Sequence, residues 1–169
     1  MRSIPHIAAV VGCIMAGTGL ARADESAFLK SMEGNWAGKG SVKVRITAPT
    51  IRVSCKFKSA ATAVSLALDG DCRGFLIFSR HFSATLKFNG SKYSGSYVGS
   101  ATGPAGLNGV RKGSAINLGI TWAKPVNGDR TAMMTVEKNG DDGITLTTTD
   151  TDLRTGEAVT TSRIELKRM

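Results

Sequence analysis

The chain has 169 residues and sets 22 Lys plus Arg against 13 Asp plus Glu, a formal charge of +9. Hydrophobic residues make up 41%, too many for a disordered chain, and the length holds about one domain at ~100–200 residues each, which excludes a multidomain enzyme. Three cysteines are too few for a disulfide-dense mini-scaffold.

The N-terminus reads as an export signal. Arg2 supplies the early positive charge, an apolar run extends from Ile7 to Leu20, and Ala21-Arg22-Ala23 is an A-x-A cleavage site. Cleavage is expected between Ala23 and Asp24, leaving residues 24–169 as a single periplasmic or secreted domain. The run holds three glycines and falls short of the ~20 apolar residues of a spanning helix, and nothing later in the chain is apolar enough to span as a helix. A rival reading takes Val10-Val11-Gly12-Cys13 as a bacterial lipobox. The run continues past Cys13 and ends at Ala23, which fits ordinary cleavage better. Loss of Arg2 and Arg22 leaves 20 basic residues against 13 acidic ones, or +7. Such a surface attracts anionic partners (envelope lipids, polyanionic sugars or nucleic acid), although many exported proteins are simply basic, and no specific nucleic-acid partner is expected.

Phe28 and Met32, four apart, predict one short helix over Asp24–Glu33. After Gly34 the period changes to two. Val42, Val44 and Ile46 alternate with Lys43 and Arg45; Ile51, Val53, Cys55 and Phe57 alternate with Arg52, Ser54, Lys56 and Lys58. Strands are also expected around Val64–Leu68, Phe75–Phe78, Phe82–Phe88 and Ile116–Trp122, in a Thr-rich segment led by Ile144 and Leu146, and at Ile164–Leu166. Asp69-Gly70, Asn89-Gly90, Asn127-Gly128 and Asn139-Gly140 supply the positive-φ residues of tight hairpins. Residues Gly99–Gly113, with five glycines and one proline, read as a loop or a weak, bulged strand. Hairpin-joined strands without intervening helices describe an all-β antiparallel meander. About ten of them leave two long edges unless the sheet closes into a barrel, with a two-sheet sandwich as the alternative.

Beyond the signal, Cys55 and Cys72 are the only cysteines. An even count in an exported protein predicts a disulfide, with two buried free thiols as the alternative. No second ligand pair accompanies them, so no metal site is expected.

The segment Gly34-Asn35-Trp36-Ala37-Gly38-Lys39-Gly40, a G-x-W-x-G-x-G pattern after a short helix at the first strand, resembles the calycin superfamily, which includes the lipocalins and the nitrobindin-like barrels. The resemblance implies a small barrel with Trp36 plugging one end and a basic residue of the last strand, Arg163 or Arg168, covering it by a cation–π contact. Nitrobindin-like barrels bind haem through a histidine near the C-terminal end. Here the only histidine of the exported domain is His81, in mid-chain, so no haem and no other cofactor is expected.

Catalytic signatures are lacking. His81, in the Ser79-Arg80-His81 stretch, reads as an exposed turn residue without a nucleophile beside it. Asp69-Gly70-Asp71, Asp141-Asp142 and Asp150-Thr151-Asp152 lack the spacing of a calcium loop. Gly38-Lys39-Gly40 precedes no helix and is not a phosphate loop. A non-catalytic role is therefore expected, and two classes remain. One is a carrier holding a small apolar ligand inside the barrel, with Phe57, Phe78, Leu86, Tyr97, Leu118 and Met134 as candidate lining. The other is an envelope-associated module that binds an anionic partner on an outer face formed by Lys43, Arg45, Arg52, Lys56 and Lys58, whose structural counterpart is a solvated, aggregation-resistant wall.

Overall fold

A computed structural model describes residues 18–74, 78–99 and 101–169, except for the side chains of 18–21 and 78. The elements are α1 (Thr18–Ser31), β1 (Gly34–Val42), β2 (Ile51–Ala61), β3 (Ser65–Gly74), β4 (Phe78–Phe88), β5 (Tyr93–Val98), β6 (Ala105–Lys112), β7 (Ala115–Val126), β8 (Asp129–Asn139), β9 (Gly143–Thr151) and β10 (Ala158–Arg168). Each strand pairs antiparallel with the next, and β10 returns to β1, so ten strands close a barrel. Closure removes both edges of the meander. The sandwich alternative is thereby excluded.

Period-two alternation places one face of each strand inside. In β2, Val53, Cys55, Phe57 and Ser59 are buried while Arg52, Ser54, Lys56 and Lys58 are exposed. Leu66, Leu86, Leu107, Ile116, Leu118, Ile120, Ile144 and Leu166 fill the same core from the other strands. Cys55 lies opposite Cys72 in the β2–β3 register, and the two form a disulfide across 17 residues of sequence. It cross-links two strands from within the core.

The closing seam depends on glycine. A Cβ at Gly38 would stand 1.8 Å from the Glu165 carbonyl oxygen, and one at Gly40 would stand 2.2 Å from that of Arg163. Only a residue without a side chain lets β10 approach β1 this closely. The hairpin signals at Asn89-Gly90 and Asn127-Gly128 fall at turns; Asn127 and Gly128 both have positive φ, 56° and 109°, as a tight two-residue connection requires.

Several local expectations are corrected. Asp69-Gly70 is not a turn: both residues lie inside β3 opposite Lys58 and Phe57. Gly70 is there because a Cβ would stand 2.1 Å from the Lys56 carbonyl oxygen. The Val42–Ile46 alternation is not a strand. β1 ends at Val42, and Lys43–Thr50 form a loop pinned by the Ile46 N–H donating to Asn127 Oδ1 at 3.1 Å. Gly99–Gly113 contains the regular strand β6, whose Gly109 has no room for a Cβ against the Asn117 carbonyl oxygen, 1.9 Å away. His81 sits on β4, not in a turn. The expected residues 75–77 and the side chain of Phe78 lie outside the described residues, as does Cys13 of the lipobox reading.

Candidate functional site

The two ends of the barrel differ. At one end α1 lies across the opening, and Leu29 of α1, Met32 just after it and Trp36 of β1 are completely buried. Trp36 Nε1 donates to Ser59 Oγ (2.9 Å) and to the Met32 carbonyl (3.2 Å). The Arg168 guanidinium stacks over the indole, 4.3 Å from its centroid, and donates to the Glu33 and Ser31 carbonyls at 2.6 and 2.8 Å. Arg168 thus covers the Trp and satisfies carbonyls at the C-terminus of α1 that have no helical partner. Arg163, the other basic residue expected to cover Trp36, is not the covering residue. It stands opposite Ser41 toward the other end of β1 and pairs with Glu165, Nη2 to Oε1 at 3.0 Å. The reason is register: Arg168, not Arg163, is the Cα partner of Trp36.

A second set of contacts at this end is not legible in the sequence. Glu25, buried, accepts a hydrogen bond from the Tyr93 hydroxyl and one from Arg111 Nε at 2.9 Å. Arg111 also pairs with Asp24 and lies 4.5 Å over the Phe28 ring. The cluster latches α1 to β5 and β6. Burial, reinforced by the Glu25 carboxylate, pushes the Tyr93 phenol well above the usual tyrosine range. Separations of 68 and 86 residues leave no local signal for these pairs.

Between the helix-capped end and the opposite end the interior holds an apolar cavity of about 70 Å³. Phe57, Leu86, Tyr97, Leu118 and Met134 all line it, together with Thr148 and Ser162 on the inward faces of β9 and β10. Four aromatic rings run in series beside it: Phe57 to Phe82 at 6.5 Å, Phe82 to Tyr97 at 6.4 Å, and Tyr97 to Trp122 at 6.1 Å between centroids. Burial pushes the Tyr97 phenol up to about 12. Among the described residues, Trp122 Nε1 is the buried side-chain polar atom without a hydrogen-bond partner. A buried indole N–H ordinarily finds one.

The expected basic face is not assembled as the alternation implied. Lys43 and Arg45 are in the β1–β2 loop, away from the ladder. Lys56 and Lys58 are on the outer face of β2 but stand opposite Asp71 and Asp69 of β3, so their charges are matched across the strand. Those two carboxylates also flank His81, which lies 3.2 Å from Asp69 Oδ2 and 3.4 Å from Asp71 Oδ1 on the exposed wall. Arg52 alone of the five joins a different cluster, a groove of about 660 Å³ bordered by Lys39, Arg52, Arg73, Arg163 and Glu165. Among the described residues no group of three or more His, Cys, Asp or Glu side chains is placed to hold a metal ion, and no helix is long and apolar enough to cross a membrane.

No protein-family model and no curated protein matches the sequence. By structure the chain is similar to Rv2717c from M. tuberculosis, known from its crystal structure, with a TM-score of 0.65 over 83% of this chain and 94% of that one, at 14% sequence identity. At that identity the likeness is one of fold: a small closed β-barrel.

Proposed function

We propose that this protein is an exported, non-catalytic carrier of calycin type that holds a small apolar ligand inside the barrel. The observation that carries the reading is the cavity itself, apolar, capped at one end by α1, and lined by five of the residues whose pattern pointed inward. Its ~70 Å³ is below the ~150 Å³ that admits benzene in an engineered apolar cavity. The ligand therefore has only a few heavy atoms, unless Met134, unbranched and half-buried, turns aside to admit more. A ligand reaching past Tyr97 toward Trp122 would meet an indole N–H that lacks a partner. Tyr97 is the one titratable side chain in the lining, which favours binding over chemistry.

Two features support export. The Cys55–Cys72 disulfide suits an oxidising compartment. The expected cleavage point falls within α1, yet Asp24, Glu25, Phe28, Leu29 and Met32, which engage the barrel, all follow it, while Arg22 and Ala23 are exposed. Cleavage would leave the latch whole.

Native mass spectrometry of protein purified from its own host tests the carrier reading, with xenon NMR as a ligand-independent probe of the cavity. A small apolar adduct, or xenon uptake abolished by Leu118→Trp, is the expected result. Bare protein that also excludes xenon would overturn it. N-terminal sequencing should begin at Asp24; a lipid-modified Cys13 would replace a free carrier with a membrane-anchored one.

A further inference from the structure

We infer that the outer wall formed by β10, β1, β2 and β3 binds a compact, multiply charged oxyanion of the polyphosphate class. The site is independent of the interior cavity and lies on the opposite face of the same strands. Its layout follows from the register. Ser41 is flanked by Arg163 on β10 and Arg52 on β2; Ser54 is flanked by Lys39 on β1 and Arg73 on β3. Each serine thus sits between two cations, with ~4.8 Å between neighbouring strands and ~6.8 Å between the two rows. Short side chains at Ser41 and Ser54, and the backbone of Gly40 and Gly74, form a floor; the long cationic side chains form the rim of a groove of about 660 Å³.

Charge is left uncompensated here. Four cations border the groove with one carboxylate, Glu165, which is paired with Arg163. By register Lys39 stands opposite Glu165, but Arg52 faces Ser41 on β1, and Arg73 faces Ser54 on β2 and Ser79 on β4, so neither arginine meets an acid there. One step along the same wall, Lys56 and Lys58 each face an aspartate. Like charges on adjacent strands cost stability. A wall needing only solubility would be served by the matched pattern throughout. Guanidinium forks and serine hydroxyls are donors suited to tetrahedral oxyanions.

The limits of the groove favour a short ligand over a polymer. Glu165 bounds it on the β10 side, and Asp71, two residues before Arg73 on β3, begins the acid-matched stretch. The floor is also held rigid. The Cys55–Cys72 disulfide lies one residue from the Ser54–Arg73 pair in the β2–β3 register, so the donors are arranged before binding.

The test is isothermal titration calorimetry of the disulfide-intact protein with sodium tripolyphosphate at low and moderate salt. One saturable site is expected, weakened about tenfold or more by Arg52→Gln or Arg73→Gln, as for loss of a hydrogen bond to a charged group. Glu165→Gln should tighten it. Lys56→Gln with Lys58→Gln should leave it unchanged, since those charges are matched. Amide shift changes on the unaltered protein should centre on Ser41 and Ser54, a readout that needs no variant. No saturable binding, or equal weakening by the Lys56/Lys58 pair, would overturn the inference. So would retention of anionic vesicles or single-stranded DNA by the same arginines without tripolyphosphate binding.

Discussion

Replacing Trp36 by alanine separates the two things this residue does. Its indole is fully buried, bonded through Nε1 to Ser59 Oγ and the Met32 carbonyl, and stacked beneath Arg168. A large aromatic buries on the order of 200 Å², or ~5 kcal/mol at ~25 cal/mol per Å². Truncations of this kind cost ~3–5 kcal/mol. Trp36→Phe keeps most of the apolar area and loses the N–H. Ser59 Oγ still donates to the Met32 carbonyl, so no polar group is stranded and the loss should be ~1–2 kcal/mol. Urea unfolding followed by far-UV circular dichroism measures both, with equal slopes confirming that only stability has changed. Against a total of ~5–15 kcal/mol this is a large share of the stability, and a clear fall in the urea midpoint is expected. A cost below ~1.5 kcal/mol for Trp36→Ala would refute the plug. Equal costs for Phe and Ala would show that the N–H, not the ring, holds the end closed.

Reduction of the disulfide, or Cys55→Ala with Cys72→Ala, should destabilise by about 3 kcal/mol, the loop-closure value for the 17-residue separation, measured as a fall in urea midpoint. Glu25→Ala removes the acceptor of the buried Tyr93 hydroxyl and leaves Arg111 only its pair with Asp24, and should cost ~1–3 kcal/mol, read as loss of amide exchange protection in α1 while the strands stay protected. Alkaline stability follows from the chain's two tyrosines, both of whose phenols are raised in the folded state, Tyr97 to about 12 and Tyr93 further still. Between pH ~10 and the folded values the unfolded chain has lost those protons and the folded chain has not, so stability falls as pH rises. Ultraviolet titration of the folded protein should show no tyrosinate near pH ~10; half-titration there would contradict the burial of both rings.

The fold class was legible because alternation and turn chemistry are local. Val53, Cys55 and Phe57 against Arg52, Ser54, Lys56 and Lys58 state which face of β2 is inside, and Asn127-Gly128 states where a hairpin turns. Five interior candidates, Phe57, Leu86, Tyr97, Leu118 and Met134, were readable for the same reason. A glycine alone, however, does not say whether it serves a turn or a close approach. Gly70 and Gly109 proved to be close approaches inside strands, which hid the continuity of β3 and the existence of β6. Register was not legible either. It makes Arg168 rather than Arg163 the cover of Trp36, matches Lys56 and Lys58 to acids that are distant in sequence, and gathers Lys39, Arg52, Arg73 and Arg163 around two serines. The contacts of Glu25 with Tyr93 and Arg111 exist only because α1 folds across the barrel end. Sequence determined which side chains face in or out, since that depends on neighbours two residues away. Tertiary structure decided which of them meet, since a one-residue change of register moves every side chain to the other face of its strand.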